Sequence, residues 1–142
     1  MKAITLCSKK YNFTIKVPYW WKKCVFINKF RNNEMKMEVY RFNLRYRRPI
    51  KGKRSTPFMD LCVFKMSKKE WEKAYGDSPY YLLSARNGIV CCCFIAEEPP
   101  DEFLQDNKLD YRRDLLEFKV LTYIVNKNVP LVLDSFSFRA CN

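Results

Sequence analysis

The sequence predicts an α+β fold in a single domain, residues 1–142, built on a largely antiparallel sheet with two or three helices on one face. Three observations predict it. Short segments of alternating polarity recur along the chain, turn-forming residues separate neighbouring segments closely enough for hairpins, and two helical patterns interrupt the order of strands. A length of 142 residues supports one sizeable core and is short for two.

The elements follow in order. Ile4 and Leu6 alternate with Thr5, and Phe13, Ile15 and Val17 alternate with Thr14 and Lys16, so the start of the chain reads as a hairpin that Pro18 ends. In "YWWKKCVFINKF" the large residues Trp20, Trp21, Cys24, Val25 and Ile27 fit a short helix, with a strand through Cys24–Ile27 as the alternative. Residues 35–47 make the clearest strand, with a bulge expected near Val39, where the apolar parity shifts. Phe58–Met66 is its partner, and "RRPIKGKRSTP" between them, with Pro49, Gly52 and Pro57, reads as a protruding hairpin with a long basic tip.

Ser67 followed by Glu70 is a capping box, so a short helix begins there and stops at Gly76. Asn87-Gly88 between two apolar runs predicts a tight hairpin, because both central residues of a type I′ turn need positive φ. The strand after it, "IVCCCFIA", is apolar at nearly every position and should be buried on both faces. Helical stretches are expected over 101–106 and 109–126, and "VPLVLDSFSF" is expected to close the sheet as a strand that offers Leu131, Leu133 and Phe136 to the core.

Composition narrows the chemistry. Only three glycines are present and neither GxGxxG nor GxxxxGK[ST] occurs, which removes the usual phosphate-cradling loops. There is no histidine, so Ser-His-Asp and Cys-His catalysis and histidine acid–base relays are excluded. No cofactor is expected. The seven cysteines form an odd set, and the N-terminus lacks a long apolar signal region, so the expected setting is a reducing one: cytoplasm, or nucleus in a host that has one. The longest apolar run, Ile89–Ala96, is far short of the roughly 20 residues that span a bilayer. Cys91 to Cys93 read as packing in a doubly buried strand, since neighbouring residues of a strand face opposite ways and no CxxC spacing is present.

Charge is unevenly distributed. The net is +12, but residues 1–76 hold 20 Lys/Arg against 5 Asp/Glu, and residues 77–142 hold 7 against 10. The positive field belongs to the first half and suits a polyanion, nucleic acid or an anionic membrane surface. Its densest part is Arg41, Arg45, Arg47, Arg48, Lys51, Lys53 and Arg54, a run without an acidic residue. Arg41, Arg45 and Arg47 are expected on the solvent face of a strand whose other face sends Tyr40, Phe42, Leu44 and Tyr46 to the core. A solvated, aggregation-resistant sheet edge is the competing explanation of the charges.

The first expectation is therefore a small non-enzymatic protein that binds nucleic acid or a nucleoprotein through this hairpin, with little base preference. The second is a viral or mobile-element inhibitor or accessory factor that docks on another protein, with Trp20 or Trp21 marking the partner surface. The third rests on Pro100-Asp101 followed by Glu117-Phe118-Lys119, which resembles the pattern of PD-(D/E)xK nucleases. That resemblance implies that Asp101 and Glu117 hold a divalent cation and Lys119 orients the attacking water. The competing reading of the same residues is an ordinary amphipathic helix with solvated charges.

Overall fold

The computed structural model describes residues 2–141. Among these described residues, seven strands, all paired antiparallel, form a hairpin of β1 (Ala3–Ser8) and β2 (Phe13–Pro18) and a five-stranded sheet. In that sheet β3 (Val25–Asn32), β4 (Met37–Ile50), β5 (Lys53–Lys65), β7 (Ile89–Ile95) and β6 (Tyr81–Arg86) lie side by side in this order. Helix α1 (Lys68–Tyr75) follows β5. The C-terminal part carries a 3₁₀ turn, Asp101–Phe103, and a continuous helix made of α2 (Leu116–Tyr123), a π turn (Ile124–Asn128) and α3 (Val129–Asp134). The fold is α+β, as the pattern of elements predicts.

The sheet is buried on both faces, and that explains the parity shift in β4. Tyr40, Phe42, Leu44 and Tyr46 join Leu61, Val63, Cys91 and Cys93 in one core, covered by β1–β2 and the C-terminal helix. Met37 and Val39 join Cys62, Phe64, Val90 and Cys92 in a second core, covered by Trp71 of α1 and by Tyr75. The switch at Val39 is thus a change of buried face. Pairing runs unbroken from Met37↔Phe64 to Phe42↔Met59, and the register slips later, at Phe42/Asn43 and between Arg45 and Ile50. It follows that the helices divide between the two faces instead of gathering on one.

Turn chemistry sets the hairpins. Asn87 and Gly88 have φ of 52° and 77°, the positive values a two-residue I′ turn requires. Lys51 and Gly52 do the same at 47° and 81° between the paired residues Ile50 and Lys53. The expected long basic tip is therefore a two-residue turn between strands of 14 and 13 residues. Ser67 and Glu70 form the reciprocal capping box, and Gly76 is the C-cap of α1. Tyr19–Lys23 is a 3₁₀ turn and Cys24 leads into β3, so each alternative for that stretch is partly realised.

Helix forms from Leu116 within the expected 109–126, and two other C-terminal expectations fail. Residues 104–115 are not helical. Asn107 and Asp110 spend their side chains on nearby backbone N–H groups, those of Leu109 and Tyr111, which competes with helical bonding. The segment instead folds back through a Leu104–Tyr111 bridge. "VPLVLDSFSF" forms helix to Asp134 and not a strand: Phe118, Leu121, Ile124, Asn128, Val129 and Val132 are buried at helical spacing, while Leu131 is exposed. Pro130 would clash with a carbonyl one turn back, and the π turn immediately before it, closed by Val129 N–H to the Ile124 carbonyl, loosens the helix there.

Cys7 and Cys141 form a disulfide, a cross-link that departs from the reducing setting expected from the cysteine set. Cys24, Cys62, Cys91, Cys92 and Cys93 are free thiols. Among the described residues no helix is long and apolar enough to cross a membrane.

Candidate nucleic-acid interface

The β4–β5 hairpin positions the seven basic residues in two groups. Arg41 and Arg45 sit on the sheet face that carries Val39 and Cys62, toward the end that α1 leaves open. Arg45 lies over the Phe26 ring at 4.9 Å and Arg41 over Phe30 at 5.0 Å. Asp60, directly across the strand pair, takes two hydrogen bonds from the Arg41 guanidinium, at 2.9 and 3.0 Å, and raises its pKa. Arg41 is thereby half neutralised and fixed in place, whereas Arg45 keeps its charge uncompensated.

The remaining five surround the turn. Register between β4 and β5 is lost after Arg45 and regained at Ile50, so Arg47 is released from strict alternation and reaches Glu117 of α2 at 3.5 Å. Lys51 donates to the Leu104 carbonyl at 2.7 Å and lies 4.0 Å from Asp106. The hairpin end thus leans on the C-terminal segment and is not the protruding arm expected from the sequence. Arg45, Arg48, Lys53 and Arg54 have no carboxylate within 4.0 Å among the described residues.

Between the hairpin end and residues 112–117 runs a groove of about 310 Å³. Arg47, Arg48, Lys51 and Arg112 line it, with Glu117 as its carboxylate and Ile50 and Leu115 as its apolar floor. Arg112 comes from the acidic half of the chain and lies outside the basic run, so no sequence window links it to Arg48. Phe26 and Phe30 were likewise missed; the aromatic signal in β3 carries no mark of which rings stay uncovered. Their exposure follows from β3 being an edge strand and from the short reach of α1.

The rings of β4 are core, as their parity predicts: Tyr40, Phe42 and Tyr46 are buried. Burial, and then the hydrogen bond its hydroxyl donates to Glu102 at 2.7 Å, raise the Tyr46 pKa and keep it a phenol. Trp21 is buried, edge-on to Phe58, and its indole N–H donates to Asn128 at 3.2 Å. Trp20 is half-buried beside Tyr123, with Tyr19 exposed next to it under Lys2 and Lys22. Of the two tryptophans, only Trp20 keeps surface exposed to solvent.

The nuclease-like residues are not brought onto a strand hairpin. Asp101 starts a 3₁₀ turn after Pro100, and Glu117 and Lys119 lie two residues apart on α2, roughly 200° around the helix from each other. Glu117 is engaged by Arg47, and no group of three potential metal ligands occurs among the described residues. The cysteine run is packing: Cys91 and Cys93 enter one core and Cys92 the other, opposite Cys62. No protein family, no curated protein and no solved structure matches the chain.

Proposed function

We propose that the protein binds nucleic acid through the groove at the β4–β5 turn, with Arg45 and the rings of Phe26 and Phe30 extending the contact along the open sheet face. The observation that supports this reading is the convergence of Arg47, Arg48, Lys51 and Arg112 on one groove containing a single carboxylate. Glu117, Asp106 and Asp114 pair with Arg47, Lys51 and Arg112 and leave Arg48 as the groove's unpaired cation among the described residues. Cations spread around one groove suit successive phosphates better than an isolated anion. Strand-borne arginines contact backbone and stacked rings accept any base face, so binding is expected to be weakly selective for sequence.

Fluorescence anisotropy of single- and double-stranded oligonucleotides at two salt concentrations tests the reading. If four or five phosphates are neutralised, the log–log salt slope on duplex DNA is roughly −4, at about 0.9 per contact. Arg45 and Arg48 make no ion pair among the described residues, so the double change to Glu should leave the structure intact. It should lower affinity at least about tenfold and remove roughly 2 from the slope, at about 0.9 per contact. Unchanged affinity in that variant defeats the proposal.

A second reading, docking on a protein partner, is favoured by the patch of Tyr19, Trp20 and Tyr123, which exposes aromatic area beside Lys2 and Lys22. Aromatic anchors with a charged rim are typical of such surfaces. A complex that survives nuclease treatment and is lost on Trp20→Ala supports this reading over the first.

A further inference from the structure

A second cationic cleft lies at the other end of the sheet. Lys53 opens β5 and Lys65 closes it, and 13 extended residues hold them about 40 Å apart. At the Lys65 end a cleft of about 470 Å³ opens between the β1–β2 turn, the β6–β7 turn and the C-terminal segment. Its size is within the range of small-ligand sites, roughly 300–1,000 Å³.

Three cations line this cleft, Lys10, Lys65 and Arg86, and none of its lining residues is acidic. Glu38 engages Lys10 from outside, which leaves Lys65 and Arg86 as its uncompensated charges. Both of these pair with Ile89, Lys65 from β5 and Arg86 from β6, so they stand on one face of flanking strands. Their backbones are two strand spacings apart, about 10 Å, a gap that two long cationic side chains can close on one phosphate. Tyr11 and Phe138 add two rings to the walls, and Asn12 and Asn87 add amides.

The wall that carries Phe138 is held firmly. Arg86 donates to the Phe138 carbonyl at 3.1 Å, Ser137 pairs with Thr14, and the Cys7–Cys141 disulfide anchors the segment beyond. Arg86 is left with further N–H donors directed at solvent or ligand.

We propose that this cleft binds a phosphate monoester carried on a ring, with Lys65 and Arg86 on the phosphate and Tyr11 or Phe138 against the ring. A nucleoside monophosphate and the 5′-phosphorylated end of an oligonucleotide share that chemistry. The site is remote from the β4–β5 groove and does not depend on it.

Calorimetric titration with adenosine monophosphate, adenosine, and a tetranucleotide with and without a 5′-phosphate tests the assignment. Saturable binding of a phosphorylated probe is expected, with at least a tenfold loss on removing the phosphate. Lys65→Glu and Arg86→Gln should each weaken it at least tenfold with an unchanged circular dichroism spectrum, and Arg48→Glu should leave it unaltered. Preference for the tetranucleotide identifies a strand end as the ligand, and preference for the monophosphate identifies a free nucleotide. Absence of saturable binding by either phosphorylated probe overturns the assignment, as does equal binding of adenosine or indifference to Lys65→Glu.

Discussion

Asn128 is a buried polar residue on the inner side of the π turn, and its side-chain oxygen accepts the Trp21 indole hydrogen bond in the core. Removing it strands a buried donor, which costs about 1–3 kcal/mol. Asn128→Ala should therefore lower the free energy of unfolding measured in urea by that amount. Made in a Trp21→Phe background, where no donor is left to strand, the same change should cost clearly less. Equal costs in both backgrounds would show that the bond contributes nothing. The thiols offer a residue-level check of burial. Cys91 and Cys93 are pushed up to about 12 by burial, and Cys24, half-buried, is raised by the same cause. Thiolate is the reactive form, so iodoacetamide at pH 8 should label the native protein at Cys24 at most, and all five free thiols only after unfolding.

At the scale of elements, local chemistry decided which predictions from sequence held. The capping box at Ser67 and Glu70 and the Asn87-Gly88 turn are read directly because their bonds and dihedrals involve residues a few positions apart. Ser67→Ala should cost α1 about 1 kcal/mol, visible as a lower thermal midpoint, with the second core exposed by faster exchange of α1 amides. The helix over residues 116–126 falls within the expected 109–126, but its continuation α3 was illegible for the opposite reason. Val129, Leu131 and Leu133 alternate as a strand would, and only packing against the first core selects the helical set that includes Val132. The β4 parity shift likewise needs both covers of the sheet in view, since neither α1 nor β1–β2 announces in sequence which face it will take. In the candidate groove, the Arg47–Lys51 side was legible as a charge run. Arg112 was not, because it arrives from a segment about 60 residues distant whose own composition is acidic.

For the whole molecule, two of the long-range ties that join the β1–β2 hairpin to the rest each predict a condition that loosens it. Lys10 in the β1–β2 turn engages Glu38 of β4. Burial of Glu38 opposes its ionisation, but hydrogen bonds from Lys10 and Tyr11 outweigh it and hold the carboxyl below its ordinary value of 4.5. A depressed carboxyl pKa adds stability above the unfolded value, and that stability is lost as pH falls through the folded one. Acidification below about pH 4.5 should thus weaken the tie, and Glu38→Gln should flatten the stability profile in that window while matching it at lower pH. The second tie is the Cys7–Cys141 disulfide, whose partners are 134 residues apart, so it closes nearly the entire chain into one loop. Cross-linking so long a loop restricts the unfolded ensemble by about 3–5 kcal/mol. Reduction, or the double change of Cys7 and Cys141 to Ser, should lower the thermal midpoint by about 10 °C, while the double variant no longer responds to reductant. A midpoint indifferent to reductant in the unaltered protein would mean that the Thr14–Ser137 pairing and the packing of Phe136 and Phe138 already hold the ends of the chain.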